Sequence, residues 1–242
     1  MSATTATAGR VLTQVRHDHR TLALLLVVPA VLMGLLAWVY ADTPEVFDRV
    51  GPGLLGVFPL VVMFLVTSVA TLRERTGGTL ERLMTLPLGK GAFVGGYALA
   101  FGLLAAAQAL VVSALALTVY GLDVAGPVWA VVGVAVLDAL LGTALGLLVS
   151  AFAASEFQAV QFMPAVVLPQ LLLSGLLQPV DRLPGALEAV AHLLPMTYAV
   201  EAMGAIARSG VDGEVLLDAA VVGGAALLAL VAGAATLRRR TA

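Results

Sequence analysis

Six apolar runs, at residues 21–40, 53–72, 93–120, 128–152, 160–177 and 215–237, constrain this 242-residue chain more than any other feature. A bilayer core needs about 20 apolar residues per helix, and each run is long enough or nearly so. In lipid the backbone must bond to itself, which leaves helices or closed barrels, and the runs lack the ten-residue alternation of a barrel strand. Composition agrees: 60% of residues are hydrophobic, 12% are charged and mean hydropathy is +1.02. Soluble domains hold about 45–50% apolar and about 25% charged residues. The expectation is an all-α integral membrane protein, one transmembrane domain over residues 1–242 with six spans.

Charge sets the orientation. An even span count puts both termini on one side, with Arg10, Arg16, Arg20, Arg73, Arg75, Arg82, Lys90, Arg238, Arg239 and Arg240 there, ten of the 13 basic residues. The other side has Arg49, Arg182 and Arg208 and most of the acidic residues. Positive residues stay inside, so both termini are expected in the cytoplasm and the protein in the cell membrane. Arg10 to Arg20, the first run and Val39-Tyr40-Ala41 have the outline of a signal peptide. The run exceeds the usual 7–15 apolar residues of such a segment, so the expectation is a retained first span. Residues 9–20 read either as a short interfacial helix with basic residues toward lipid phosphates or as a disordered basic tail.

Catalytic signatures are missing. There is no cysteine, and His17, His19 and His192 are too scattered for a metal site. Around Gly89-Lys90, a P-loop would need glycine at Met84 and a hydroxyl at Gly91. No zinc-protease, nucleophile-elbow or paired-carboxylate pattern occurs. The chain is expected to be no enzyme by itself, to bind no metal or cofactor and to bind no nucleic acid.

Between the second and third runs lies a charged island, residues 73–87. Thr79 is placed to cap a helix from Leu80, after the turn residues Gly77 and Gly78, and Pro87 stops it after about two turns. Leu80, Leu83 and Met84 then share one face, while Glu81 and Arg82 point elsewhere. Such a helix suits a groove on a partner; the other reading is a loop whose arginines only set topology. Residues 178–214 contain Pro179, Pro184 and Pro195, with Leu183, Leu187, Val190, Leu193 and Leu194 at roughly helical spacing. They read as one or two short amphipathic helices in the outer leaflet.

Polar residues inside spans are functional candidates. Asp138, in the middle of the fourth span, faces a water-filled path or a neighbouring helix. Gln108, Gln158, Gln161 and Gln170 pose the same choice between path and interhelix bond. Glu156, with no basic residue nearby in sequence, reads as a solvated loop carboxylate or a contact to a cytosolic partner. Pro164, Pro169 and Gly175 make the fifth span the candidate for a broken or bending helix. Gly142 and Gly146 form a small-xxx-small pair that permits close packing.

The order Arg73-Glu74-Arg75, then Gly78-Thr79-Leu80-Glu81-Arg82-Leu83, then Pro87-Leu88 resembles the first cytosolic loop of ABC-2 type export permeases. Leu173-Ser174-Gly175, Pro179, Leu183-Pro184, Pro195 and Thr197-Tyr198-Ala199 resemble that family's segment of small outer helices between the fifth and sixth spans. The compact size is similar to permeases of the daunorubicin-resistance type. The resemblance implies an ABC ATPase subunit that binds ATP and Mg, a second permease copy, and a coupling helix around residues 80–86. It makes Arg73, Glu74, Arg75, Gly78, Thr79, Leu80, Glu81, Arg82, Leu83 and Pro87 the ATPase-coupling candidates. The implied activity is export of a lipophilic drug, a lipid or a lipid-linked substrate. The alternatives are a proton-coupled secondary transporter that uses Asp138, and a membrane docking or assembly protein.

Overall fold

The computed structural model describes residues 3–77 and 90–236. The described residues are helical, without strands. The helices are α1 (Ala3–His17), α2 (His19–Val39), α3 (Pro44–Thr76), α4 (Lys90–Thr118), α5 (Val128–Val149), α6 (Glu156–Leu173), α7 (Gly185–Ala191), α8 (Pro195–Ser209) and α9 (Gly213–Ala235), with a 3₁₀ turn at Val180–Arg182 before α7. Six of them, α2 to α6 and α9, are long and apolar enough to cross a membrane. The protein is a multi-pass membrane protein.

Local chemistry explains the boundaries. Asp18 caps α2, its carboxylate accepting from the amides of Arg20 and Thr21; Ser155 caps α6 and Asp212 caps α9 in the same way. Pro44 and Pro195 open α3 and α8, where a missing N–H costs nothing. The fifth span starts at Glu156, after the Ser155 cap and four residues before the apolar run. It stays helical through Pro164 and Pro169 rather than breaking there. The sharp bend falls elsewhere: α7 and α8 meet at 87°. Thr197 Oγ1 donates to the Ala191 carbonyl at 2.8 Å and Tyr198 Oη to that of His192 at 2.8 Å, so two side chains of α8 hold the last carbonyls of α7 across the corner.

Named contacts give the direction of each helix. Glu74 of α3 meets Arg10 of α1, Gly96 of α4 lies against Thr7, and Glu156 of α6 meets Arg73. These mark the α1 end of the bundle. At the opposite end the Asp123 amide donates to Asp48 at 2.8 Å, and the Ala125 amide to the Ala207 carbonyl at 2.9 Å. Helices α3 and α5 both run toward the α1 end and so pack in parallel. Their contact is the most extensive between any two helices.

The seam between them is built on residues four apart. Gly56, Leu60 and Phe64 of α3 face Asp138, Gly142 and Gly146 of α5. A Cβ on Gly142 would run into the Leu60 carbonyl oxygen, and one on Gly146 would lie 2.6 Å from the Phe64 carbonyl oxygen. The glycines are therefore what lets the two backbones touch, a packing solution suited to lipid, where apolar side chains gain little by leaving their surroundings. Helix α4 adds a buried stripe of Ala105, Ala109, Val112 and Ala116. On the α5 side the hydroxyls bond their own chain: Thr143 donates to the Ala139 carbonyl and Ser150, just past the helix, to that of Leu147.

The region between the fifth and sixth spans divides in two. On and just after α7, Leu187, Val190 and Leu193 are exposed, whereas α8 buries Met196, Ala199, Met203 and Ile206 against the bundle. The apolar spacing along residues 183–194 marks the exposed part, and the longer inward-packed helix follows it.

Candidate functional site at the α1 end

Helix α1 carries Thr7, Ala8, Val11 and Val15 on one face, at helical spacing, and buries all four. That face lies mainly on α4. It turns Arg10 inward rather than toward lipid phosphates. Arg10 Nη1 donates to Glu74 Oε1 at 3.1 Å and Nη2 to the Tyr97 hydroxyl at 2.9 Å, while Gln14 donates to the same Glu74 oxygen at 3.3 Å. Burial disfavours the charge on Arg10, but the Tyr97 phenol and the Glu74 carboxylate outweigh it and hold the guanidinium pKa above its ordinary value. Arg16 and Arg20 remain exposed.

A second pair stands beside the first. Arg73 grips Glu156 with both nitrogens of its fork, Nε to Oε1 at 2.7 Å and Nη2 to Oε2 at 2.9 Å. This corrects the expectation that Glu156 stands apart from any basic residue. The two are 83 positions apart, and only the parallel course of α3 and α5, followed by the short turn into α6, brings them together. Arg75 is half-buried, and its Nε has no partner among the described residues. Arg73, Glu74 and Arg75 thus belong to the last turn of α3 and not to a loop. The other coupling candidates, Gly78, Thr79, Leu80, Glu81, Arg82, Leu83 and Pro87, lie outside the described residues.

Between these elements lies a cavity of about 470 Å³, lined by α1, α2, α3, α4 and α6. Its walls are mostly apolar, with Tyr97 and Phe101 in tilted contact at 6.0 Å between ring centres. Gln14, Asp18, Thr21, Arg73 and Glu74 bring polar groups to it. Asp18 carries a pKa below its ordinary value because it accepts hydrogen bonds from the Thr21 side chain and the Thr21 and Arg20 amides.

The polar residues within the spans are dispersed by comparison. Asp138 is fully buried in the α3–α5 seam opposite Gly56, and neither carboxyl oxygen has a hydrogen-bond partner among the described residues. Gln108 is buried on α4 with neither amide atom hydrogen-bonded among the described residues. Gln170 donates to the Val166 carbonyl of its own helix, and Gln161 is exposed on α6. The side chain of Gln158 accepts from the Ala154 amide, closing the α6 cap.

A family model described as "ABC-2 type transporter" matches residues 3–207. The chain belongs to the ABC-2 type transporter family. It is 30% identical over 174 residues to "ABC transporter G family member 20" of Dictyostelium discoideum, which is 72% of this chain and 24% of that protein. It is 29% identical over 147 residues to the "Probable multidrug ABC transporter permease YbhR" of Escherichia coli (strain K12), covering 61% of this chain and 40% of the relative. With "Probable multidrug ABC transporter permease YbhS" of the same organism it shares 24% over 160 residues, 66% of this chain and 42% of the relative. The chain therefore spans between about a quarter and about two fifths of the length of these curated relatives. In this ABC-2 chain the family match takes in both ion pairs, the glycine seam and Asp138, and leaves α9 outside.

Sequence reasoning placed Arg73 and Glu74 among the site residues and missed their partners. Arg10 had a signal, since Thr7, Val11 and Val15 mark a buried face next to it. Tyr97 had none: one tyrosine in an apolar run says nothing of which way it turns.

Proposed function

We propose that this ABC-2 chain is the membrane permease subunit of an ABC exporter, moving a lipophilic drug, a lipid or a lipid-linked substrate outward with energy from ATP hydrolysed on a separate ATPase subunit. The observation that carries the reading is the family match across residues 3–207, which includes the ion-paired end of the bundle next to residues 78–89. The ATPase subunit holds ATP and Mg; the permease has no energy source of its own and needs a mechanical link.

In this reading both termini and the α1 end face the cytoplasm. Residues 80–86 form the coupling helix, with Glu81 and Arg82 making charged contacts to the ATPase. A push on that segment reaches the last turn of α3, and the Glu74–Arg10–Tyr97 and Arg73–Glu156 contacts spread it to α1, α4 and α6. Two permease copies form the path. Apolar faces that one copy leaves exposed, including Leu168 and Leu172 of α6 and Leu24 and Val31 of α2, are available to the second copy or to lipid. Asp138, Gln108, Gln161 and Gln170 serve the path or the contacts between helices.

Affinity purification of the tagged chain from its native membrane, with mass spectrometry of what accompanies it, tests the proposal. A stoichiometric ATP-binding cassette protein is the expected result. Glu81→Arg combined with Leu83→Asp is expected to leave the permease inserted and remove that protein. Its reproducible absence from the unmodified chain in gentle detergent would overturn the exporter reading, and association of the double variant at normal strength would remove the coupling role from residues 80–86.

A further inference from the structure

Helices α5 and α9 run side by side in the same direction. A Cβ on Gly223 would lie 3.6 Å from the Leu137 side chain and one on Gly233 3.5 Å from the Leu148 backbone, so from Leu137 toward the α1 end the two spans are in contact. Toward the opposite end they part, and a groove of about 210 Å³ opens between them. Trp129, Gly133 and Leu137 of α5 form one side, Leu216 and Ala219 of α9 the other, and the fully buried Ile206 of α8 the floor. From Trp129 to Leu137 the groove follows α5 for about 12 Å, at about 1.5 Å per residue, close to the half-thickness of about 15 Å of a bilayer core.

The groove is open to the bilayer and offers nothing to an ion. Trp129 and Leu216 at its edges are 71% and 63% exposed, and no charged residue lines it. Trp129 is the second residue of α5, at the membrane–water boundary that tryptophan favours. A Cβ on Gly133 would meet no atom within 4 Å, so there is room over that residue. A narrow apolar groove open along its side to lipid suits a lipid chain, because a gap would cost the lining atoms their dispersion contacts. Charge narrows the choice of headgroup. Around the mouth, residues 121–127 and 207–214 carry Arg208 against Asp123, Asp212 and Glu214, and Glu201 and Asp218 farther along α8 and α9 add to the acidic side. That balance disfavours an anionic headgroup and suits a zwitterionic one, whose ammonium is outermost and whose phosphate lies below it.

We propose that this groove is a binding site for one acyl chain of a zwitterionic phospholipid, in the leaflet opposite the α1 end, with the headgroup over the turn between α8 and α9. The exporter reading only names that leaflet as the outer one; the binding does not depend on it.

The chain has two tryptophans, so Trp38→Phe leaves Trp129 as the sole indole, and Trp129→Phe leaves Trp38, 78% exposed near the same end of α2, as a reporter of ordinary lipid contact. Quenching of each indole by phosphatidylethanolamine with brominated acyl chains, titrated into nanodiscs of the unbrominated lipid that hold the full-length chain, tests the proposal. Half-maximal quenching of Trp129 is expected at a mole fraction about threefold lower than that of Trp38, and brominated phosphatidylglycerol is expected to need about threefold more than the zwitterionic lipid at Trp129. Gly133→Leu, which fills the groove, is expected to bring Trp129 to the behaviour of Trp38; Gly133→Val serves if that variant does not give a monodisperse protein. Equal quenching of the two indoles, equal action of the two lipids at Trp129, or no change on filling would overturn the proposal. So would a Trp129 that brominated lipid does not quench, the result expected if a second copy of the chain covers the groove.

Discussion

The α3–α5 seam and the α1 end of the same bundle are held together by opposite means. In the seam, backbone rests on backbone at Gly142 and Gly146, where no side chain stands between the two helices. At the α1 end, long side chains reach across from separate helices, around a cavity, with one ion pair mostly buried and the other more than half exposed. A close-packed seam tolerates almost no displacement, because the smallest added group meets backbone. Ion pairs on flexible stems can lengthen, break and re-form at small net cost. The difference divides the molecule into a close-packed pair of spans and an end held by longer side chains, which suits the proposed permease.

Perturbing the two regions separately tests that division. The largest effect is expected from Gly142→Ala, since its methyl group would meet the Leu60 backbone and the helices would have to part. A loss of about 3 kcal/mol, by the upper range for overpacked cores, would appear as a lower midpoint in detergent thermal unfolding. An unchanged midpoint would mean that the seam is not stiff. Arg10→Ala comes next. It strands the Glu74 carboxylate at a side-chain exposure of 13% and removes the Tyr97 contact, for an expected loss of about 2 kcal/mol in the same assay. Arg10→Lys, which keeps the charge and loses the fork, is expected to fall between.

Smaller effects sharpen the contrast. Asp18→Ala removes the α2 cap and is expected to cost about 1 kcal/mol near neutral pH. The folded state depresses the Asp18 pKa, so this contribution is fully present above the unfolded carboxylate value near 4 and is lost as the pH falls through the lower folded value. The difference between wild type and Asp18→Ala in a pH series of unfolding midpoints should therefore close on acidification. Arg73→Ala breaks a pair whose side chains are 59% and 52% exposed, and its expected stability cost is about 0.5 kcal/mol or less, shrinking with added salt. A cost as large as that of Arg10→Ala would show that the Arg73–Glu156 pair is a structural clamp and not an adjustable contact.

Much of the fold is legible from the order of residues alone. The six spans follow from apolar length, and the Ser155 and Asp212 caps explain the starts of α6 and α9. The corner between α7 and α8 has its residues in plain view as Thr197 and Tyr198, although their roles become clear only when they are seen bonding back to Ala191 and His192. The α1 end was half legible. Arg73 and Glu74 stand out as charges beside a span, but Glu156 read as isolated, because charge pairing across 83 residues leaves no local pattern. Asp138 shows the same limit: its depth follows from its place in a run, whereas the glycine opposite it depends on helix rotation.

The sequence by itself determined that this chain crosses the membrane six times, that it is helical throughout the spans and where its charges gather, because those properties depend on composition and on periods of a few residues. Only the tertiary structure decided that Gly142 and Gly146 meet α3, that Arg10 turns inward to Glu74 and Tyr97, and that a cavity lies beside them. Those depend on which faces of distant helices come together, and in an apolar run nearly every face looks alike until neighbouring side chains and backbones select one.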